Sequence, residues 1–183
     1  ICVNYFVCSF TYFGLVMNSG SLGGDLYVNF IISGFLEIPG YLIPIVVVNW
    51  KGRRLSYTLS MLLAGMSLMS ILLIPKGLYN DWVAVSVAMF GKLCITFAFG
   101  IMLLFSAEIF PTVVRSTGIG VSSVFSRSGG IVSSWIGLLG EIHPYVPVCI
   151  FGISAVTAGL LALMLPETMG HKLPDTISEG EMT

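Results

Sequence analysis

Charge is the scarcest feature of this sequence. Of 183 residues, 8 are Lys or Arg and 9 are Asp or Glu, 9% in all, where a globular domain carries roughly 25%. So few ionised groups cannot give a soluble body of this length a solvated skin. The net charge of -1 argues against nucleic acid as a partner, since phosphate recognition needs a basic face. Intrinsic disorder needs a more polar, more charged chain. Only two histidines occur, His143 in a loop and His171 in the C-terminal stretch. With no HExxH, G-x-S-x-G or P-loop, the sequence offers no catalytic constellation, cofactor site or metal site, and an enzyme is not expected. The four cysteines, Cys2, Cys8, Cys94 and Cys149, form no CxxC and lie in apolar runs, so they read as small packing residues. No N-x-[ST] acceptor is present. The chain begins at Ile1, inside an apolar run and without a basic n-region, and therefore reads as the start of a truncated sequence rather than a signal peptide.

What is present is hydrophobic surface: 56% of residues are hydrophobic and mean hydropathy is +0.96. With about 20 residues per membrane crossing, breakers divide the chain into six apolar spans. These are expected at about 1–18, 26–48, 55–74, 82–105, 117–139 and 145–165, followed by a polar tail over 166–183. The fold class expected is an all-α membrane protein. Among short-loop and tail basic residues, Lys51, Arg53, Arg54, Arg115 and Lys172 fall on one side of such a bundle and Lys76 on the other. Positive charge marks the cytoplasmic side, which places the tail in the cytoplasm. Small residues at Ser122, Ser126, Gly130 and Ser134, and the Ala155/Gly159 and Ala158/Ala162 pairs, are helix-packing signals.

Three ionisable residues fall at bilayer depth: Glu37, Lys92 and Arg127. Each costs at least about 2.5–3.5 kcal/mol there, so each must face a cavity or a partner. Arg127 lies on a small, polar stripe with Gly120, Ser123, Gly130 and Ser134, which points it to the bundle or a wet cavity. Lys92 has Thr96 at i+4 and Phe99 at i+7, placing its ammonium near a hydroxyl and its stem along an aromatic wall. Around Glu37, Pro39, Pro44, Gly34 and Gly40 should interrupt the helix, as in transporter binding sites. Tyr5, Ser9 and Tyr12 share one helical face and suit an aromatic wall, since Tyr rings also hold organic cations; ordinary packing accounts for them equally well. The three charges could also form only a buried structural pair.

Asn49-Trp50-Lys51-Gly52-Arg53-Arg54, AEIFPTVVRSTGIG (107–120) and LPETMGHKLPDTIS (165–178) resemble motifs of the major facilitator superfamily, and specifically of the organic cation, carnitine and organic anion transporters, solute carrier family 22. The resemblance runs through essentially the whole chain and implies the C-terminal half of a twelve-helix transporter, two inverted three-helix repeats lacking their N-terminal six helices. It implies alternating access for a small organic ion in a multi-pass plasma-membrane protein, with the N-terminal half and the lipid bilayer as partners and Na+ or H+ as coupling ion. Substrate binding would fall to Glu37, Lys92 and Arg127, with Tyr5 and Tyr12 as walls. Glu37 and Lys92 match an acidic and a basic position of the family's eighth and tenth spans. Arg127 stands where cation-selective members tend to carry an acid and anion or carnitine members an Arg. Arg53, Arg54, Glu108, Arg115 and Glu167 lie at helix ends on the cytoplasmic side, where opposite charges can pair and part, and by resemblance they form the cytoplasmic gate. If Glu37 pairs with one base, the other can take a carboxylate, which favours anions or zwitterions. The alternative is a non-transporting membrane protein that acts as an assembly or regulatory subunit.

Overall fold

The computed structural model describes residues 1–18, 26–72, 80–110, 113–140, 142 and 145–164, with no side chain described for 18, 26, 49–51 and 80–82. The described residues form six helices and no strand: α1 (Cys2–Asn18), α2 (Leu26–Lys51), α3 (Arg53–Ile71), α4 (Asn80–Ile109), α5 (Arg115–Leu139) and α6 (Tyr145–Ala162). The expected tail at 166–183 lies outside the described residues. A helix closes its own backbone hydrogen bonds, the requirement that hydrocarbon imposes on any crossing segment. Tyr27–Val48, Val83–Ile109 and Tyr145–Ala162 are each long and apolar enough to cross a membrane. Helices α3 and α5 are more polar because their small residues face neighbours: Ser56, Thr58, Ser60 and Ser67 are buried on α3, and Ser122, Gly129 and Ser133 on α5.

Packing follows a twofold scheme. Helix α1 packs against α5 and α2 against α4; α3 packs against α4 and α1 against α6; α3 also packs against α6, and α1 against α4. Exchanging α1 with α4, α2 with α5 and α3 with α6 maps these contacts onto one another, the signature of two three-helix repeats. Three is odd, so in an alternating bundle the second repeat enters from the opposite side, which inverts it.

Two local features depart from expectation. Helix α2 is continuous from Leu26 to Lys51 despite Pro39 and Pro44 inside it, so the interruption expected around Glu37 is not found. Each proline removes one backbone donor, and the buried Gly40 and Pro44 seat the helix against Thr96 and Gly100 of α4. The packing stripe of α5 runs through Ser122, Gly129 and Ser133 instead of Ser122, Ser126, Gly130 and Ser134. At 3.6 residues per turn, steps of four drift around the helix, whereas steps of seven then four stay nearly in line. Gly129 is required at this crossing, because a Cβ there would stand 2.3 Å from the Phe6 carbonyl oxygen of α1. On α6, Ala155, Ala158, Gly159 and Ala162 are all buried. Helices α2 and α3 are joined through Gly52, at φ 84° the one described residue with positive φ, so the chain reverses there without a loop.

Candidate functional site

Helices α1, α2 and α4 meet around one carboxylate. Lys92 Nζ stands 2.9 Å from Glu37 Oε1, and the Tyr12 hydroxyl donates to the same oxygen at 2.5 Å. The Lys92 ammonium also donates to the Ser33 hydroxyl and reaches the Ser33 carbonyl oxygen at 3.5 Å. It lies 5.5 Å from the centroid of the Tyr12 ring, within cation–π range. The side chain of Lys92 is 7% exposed and that of Glu37 33%. The pair therefore has a buried basic end and an acidic end open to the outside of the six-helix body.

The sequence pattern foreshadows this cluster only in part. The hydroxyl that accepts from the ammonium is that of Ser33, whereas the Thr96 hydroxyl donates to the carbonyl of Lys92 itself at 3.0 Å, the usual way a helical Thr satisfies its hydroxyl. Phe99 meets tyrosines, edge-on to Tyr5 with centroids 6.3 Å apart and stacked with Tyr12 at 6.5 Å. Tyr5 is 1% exposed and its hydroxyl reaches the Met102 carbonyl at 3.4 Å, so it stands behind Phe99 in the core. Tyr12 is the tyrosine at the carboxylate. Ser33, absent from the sequence-based set, sits one helical turn before Glu37 on α2, a spacing that can reveal it once Glu37 is in question.

Arg127 lies apart. It is exposed, on the side of α5 away from Ser122, Gly129 and Ser133, and among the described residues it makes no ion pair or hydrogen bond. It does not face into the six-helix bundle, one of the two directions the small-residue stripe allowed. Cys2 lies beside Ser122 and Phe6 and Phe10 beside Gly129, so α1 and α5 run parallel. This places Arg127 near the height of Phe6, about 9 Å along the bundle from Tyr12 at 1.5 Å per residue.

Four of the five residues expected at the gate gather at one end. Arg53 Nη2 and Nε donate to Glu108 Oε1 at 2.8 and 3.2 Å, joining the start of α3 to the last turn of α4. Helix α4, 30 residues long or about 45 Å, outruns a hydrocarbon core of about 30 Å, and this extra length carries Glu108 to Arg53. Arg54 donates to the Leu163 carbonyl after α6. Arg115 Nε donates to the Phe110 carbonyl at 3.3 Å, while its buried Nη2 has no hydrogen-bond partner among the described residues. Glu167 lies outside the described residues.

Comparison with known proteins places this arrangement in a family. The family model described as "Sugar (and other) transporter" matches residues 2–177. The chain is 46% identical over 178 residues to an organic cation transporter protein of Drosophila melanogaster, covering 97% of this chain and 32% of that protein. It is 40% identical over 181 residues to solute carrier family 22 member 15 of Xenopus tropicalis, covering 96% and 34%. To organic anion transporter 3 of Homo sapiens it is 36% identical over 177 residues, covering 97% and 32%. The chain thus spans about a third of the length of the curated relatives it matches.

Proposed function

Because this chain belongs to the sugar (and other) transporter family, as a solute carrier family 22 member of the major facilitator superfamily, we propose that the full-length protein carries small organic anions or zwitterions across a membrane by alternating access. The chain supplies one six-helix half, and a preceding half closes the cavity over it. The observation that carries the charge preference is the Lys92–Glu37 ion pair at 2.9 Å. It neutralises one base with the one acid at bilayer depth and leaves Arg127 as the excess positive charge. A guanidinium suits this role, since it stays ionised and presents parallel donors that match a carboxylate. Tyr12 and Glu37 form the wall opposite, and Tyr5 supports that wall from behind Phe99.

The charges at the far end act as the gate of such a carrier. Arg53 and Glu108 tie α3 to α4, and Arg54 ties α3 to the end of α6. On this reading, that end is cytoplasmic, the contacts hold while the inside is shut, and they part when the halves rock. Uptake of labelled carnitine, an aromatic carboxylate and a quaternary ammonium by cells producing the full-length protein tests the class. The reading expects saturable uptake of carnitine or the carboxylate; saturable uptake of the quaternary ammonium alone contradicts it.

A further inference from the structure

The ammonium of Lys92 rests where an organic cation would rest. The Tyr12 ring faces it at 5.5 Å, the Glu37 carboxylate lies at 2.9 Å, and the Ser33 hydroxyl and carbonyl accept from it. An aromatic face supplies quadrupole attraction, a carboxylate the counter-charge and two neutral oxygens the remaining coordination. This is the set of groups that recognises an ammonium. We propose that Tyr12, Glu37 and Ser33 form an organic-ammonium site which Lys92 fills as a tethered occupant, so that Lys92 is the residue that keeps organic cations out.

Three observations separate this from a pair that serves only to hold helices together. Tyr12 and Lys92 both act on Oε1 of Glu37, and among the described residues Oε2 has no hydrogen-bond partner. The acidic end is the open one, with the Glu37 side chain 33% exposed against 7% for Lys92, so a solute can reach the carboxylate without unfolding anything. The contacts of the ammonium come from α1 and α2, while Lys92 enters from α4. Removing its charge therefore leaves the other three groups on their own helices. With a short side chain at position 92, the site then carries one negative charge beside an aromatic face and gains most of the volume of a four-carbon stem, room for a head group the size of tetramethylammonium.

In its transport arm this inference rests on the carrier reading above; in its binding arm it does not. Purified full-length wild type, Lys92→Ala, Lys92→Ser and the double variant Glu37→Gln/Lys92→Ala are compared for thermal stabilisation by tetramethylammonium chloride against potassium chloride at equal ionic strength. Saturable stabilisation is expected in both Lys92 variants, at least tenfold tighter than any in wild type, and is lost in the double variant. Stabilisation of wild type as tight as that of the variants, no stabilisation of folded Lys92 variants, or stabilisation that survives in the double variant overturns the proposal. If the Lys92 variants do not fold, wild type decides: tetramethylammonium competing with a labelled carboxylate for uptake refutes a filled site, and absence of competition supports it. Carboxylate uptake by wild type without a binding gain in the variants removes this inference alone. A binding gain without uptake of any organic ion removes the carrier reading alone.

Discussion

Glu37→Gln and Lys92→Gln each remove one partner of the same ion pair, yet they should differ in cost. In Glu37→Gln the ammonium left behind is on a side chain only 7% exposed and cannot be rehydrated without opening the contact between α2 and α4. Breaking a buried pair from one side costs about 3–5 kcal/mol. The Ser33 acceptors and the Tyr12 ring persist, so a value near the lower limit, about 3 kcal/mol, is expected. In Lys92→Gln the carboxylate left behind is one-third exposed and keeps the Tyr12 hydroxyl at 2.5 Å, so about 1 kcal/mol is expected, the scale of an ordinary lost hydrogen bond. The double variant places two amides side by side and should cost about 1–2 kcal/mol, well below the sum of the singles. The measurement is equilibrium denaturation of the purified full-length protein in mild detergent, run as a double-mutant cycle. A cycle additive within about 0.5 kcal/mol, or a Lys92→Gln cost equal to that of Glu37→Gln, would refute the assignment of Lys92 as the buried end.

Other substitutions probe the scaffold and the gate. Gly129→Ala should cost about 1–3 kcal/mol, because its Cβ would stand 2.3 Å from a backbone oxygen of α1. Gly34→Ala, where nothing lies within 4 Å, should be neutral or stabilise by up to about 1 kcal/mol; thermal denaturation compares the two. Gly52→Ala forces a side chain to φ 84° and should cost about 1–2 kcal/mol by the same assay. At the gate, Arg53→Glu and Glu108→Arg should each shift the balance between closed and open ends by about 1 kcal/mol, roughly fivefold. Uptake should fall in each and recover in the charge-swapped double variant, and failure of the swap to recover it removes the ion pair from the mechanism.

Parts of this architecture are legible in the sequence for plain physical reasons. Hydrocarbon demands long apolar helices, so the runs and breakers outline six of them, and the cost of ionisation at depth singles out Glu37, Lys92 and Arg127 before any coordinates. Their partnerships are not legible. Glu37 and Lys92 sit on α2 and α4, and only the packing of those helices reveals that they meet. Tyr5 and Tyr12 share a face of α1, but they stand nearly two turns apart. One meets Phe99 and the backbone of Met102 in the core, and the other meets a carboxylate. Helical periodicity gives direction without depth, so it cannot tell them apart. The same limit hides Gly129, whose role rests on how closely the backbone of α1 approaches, and it makes Ser126 and Gly130 look like the packing stripe when the interface follows Gly129 and Ser133.

If Arg127 supplies the positive charge that recognises the substrate, uptake kinetics reveal it. Cells producing full-length wild type, Arg127→Lys and Arg127→Ala at matched surface levels are assayed with a labelled aromatic carboxylate and with carnitine. Loss of a charged, hydrogen-bonded partner, about 1.5–3 kcal/mol, predicts that Arg127→Ala lowers uptake of the carboxylate at low concentration by roughly ten- to hundredfold, with Arg127→Lys falling in between. Unchanged uptake of both substrates in Arg127→Ala would remove Arg127 from the substrate site.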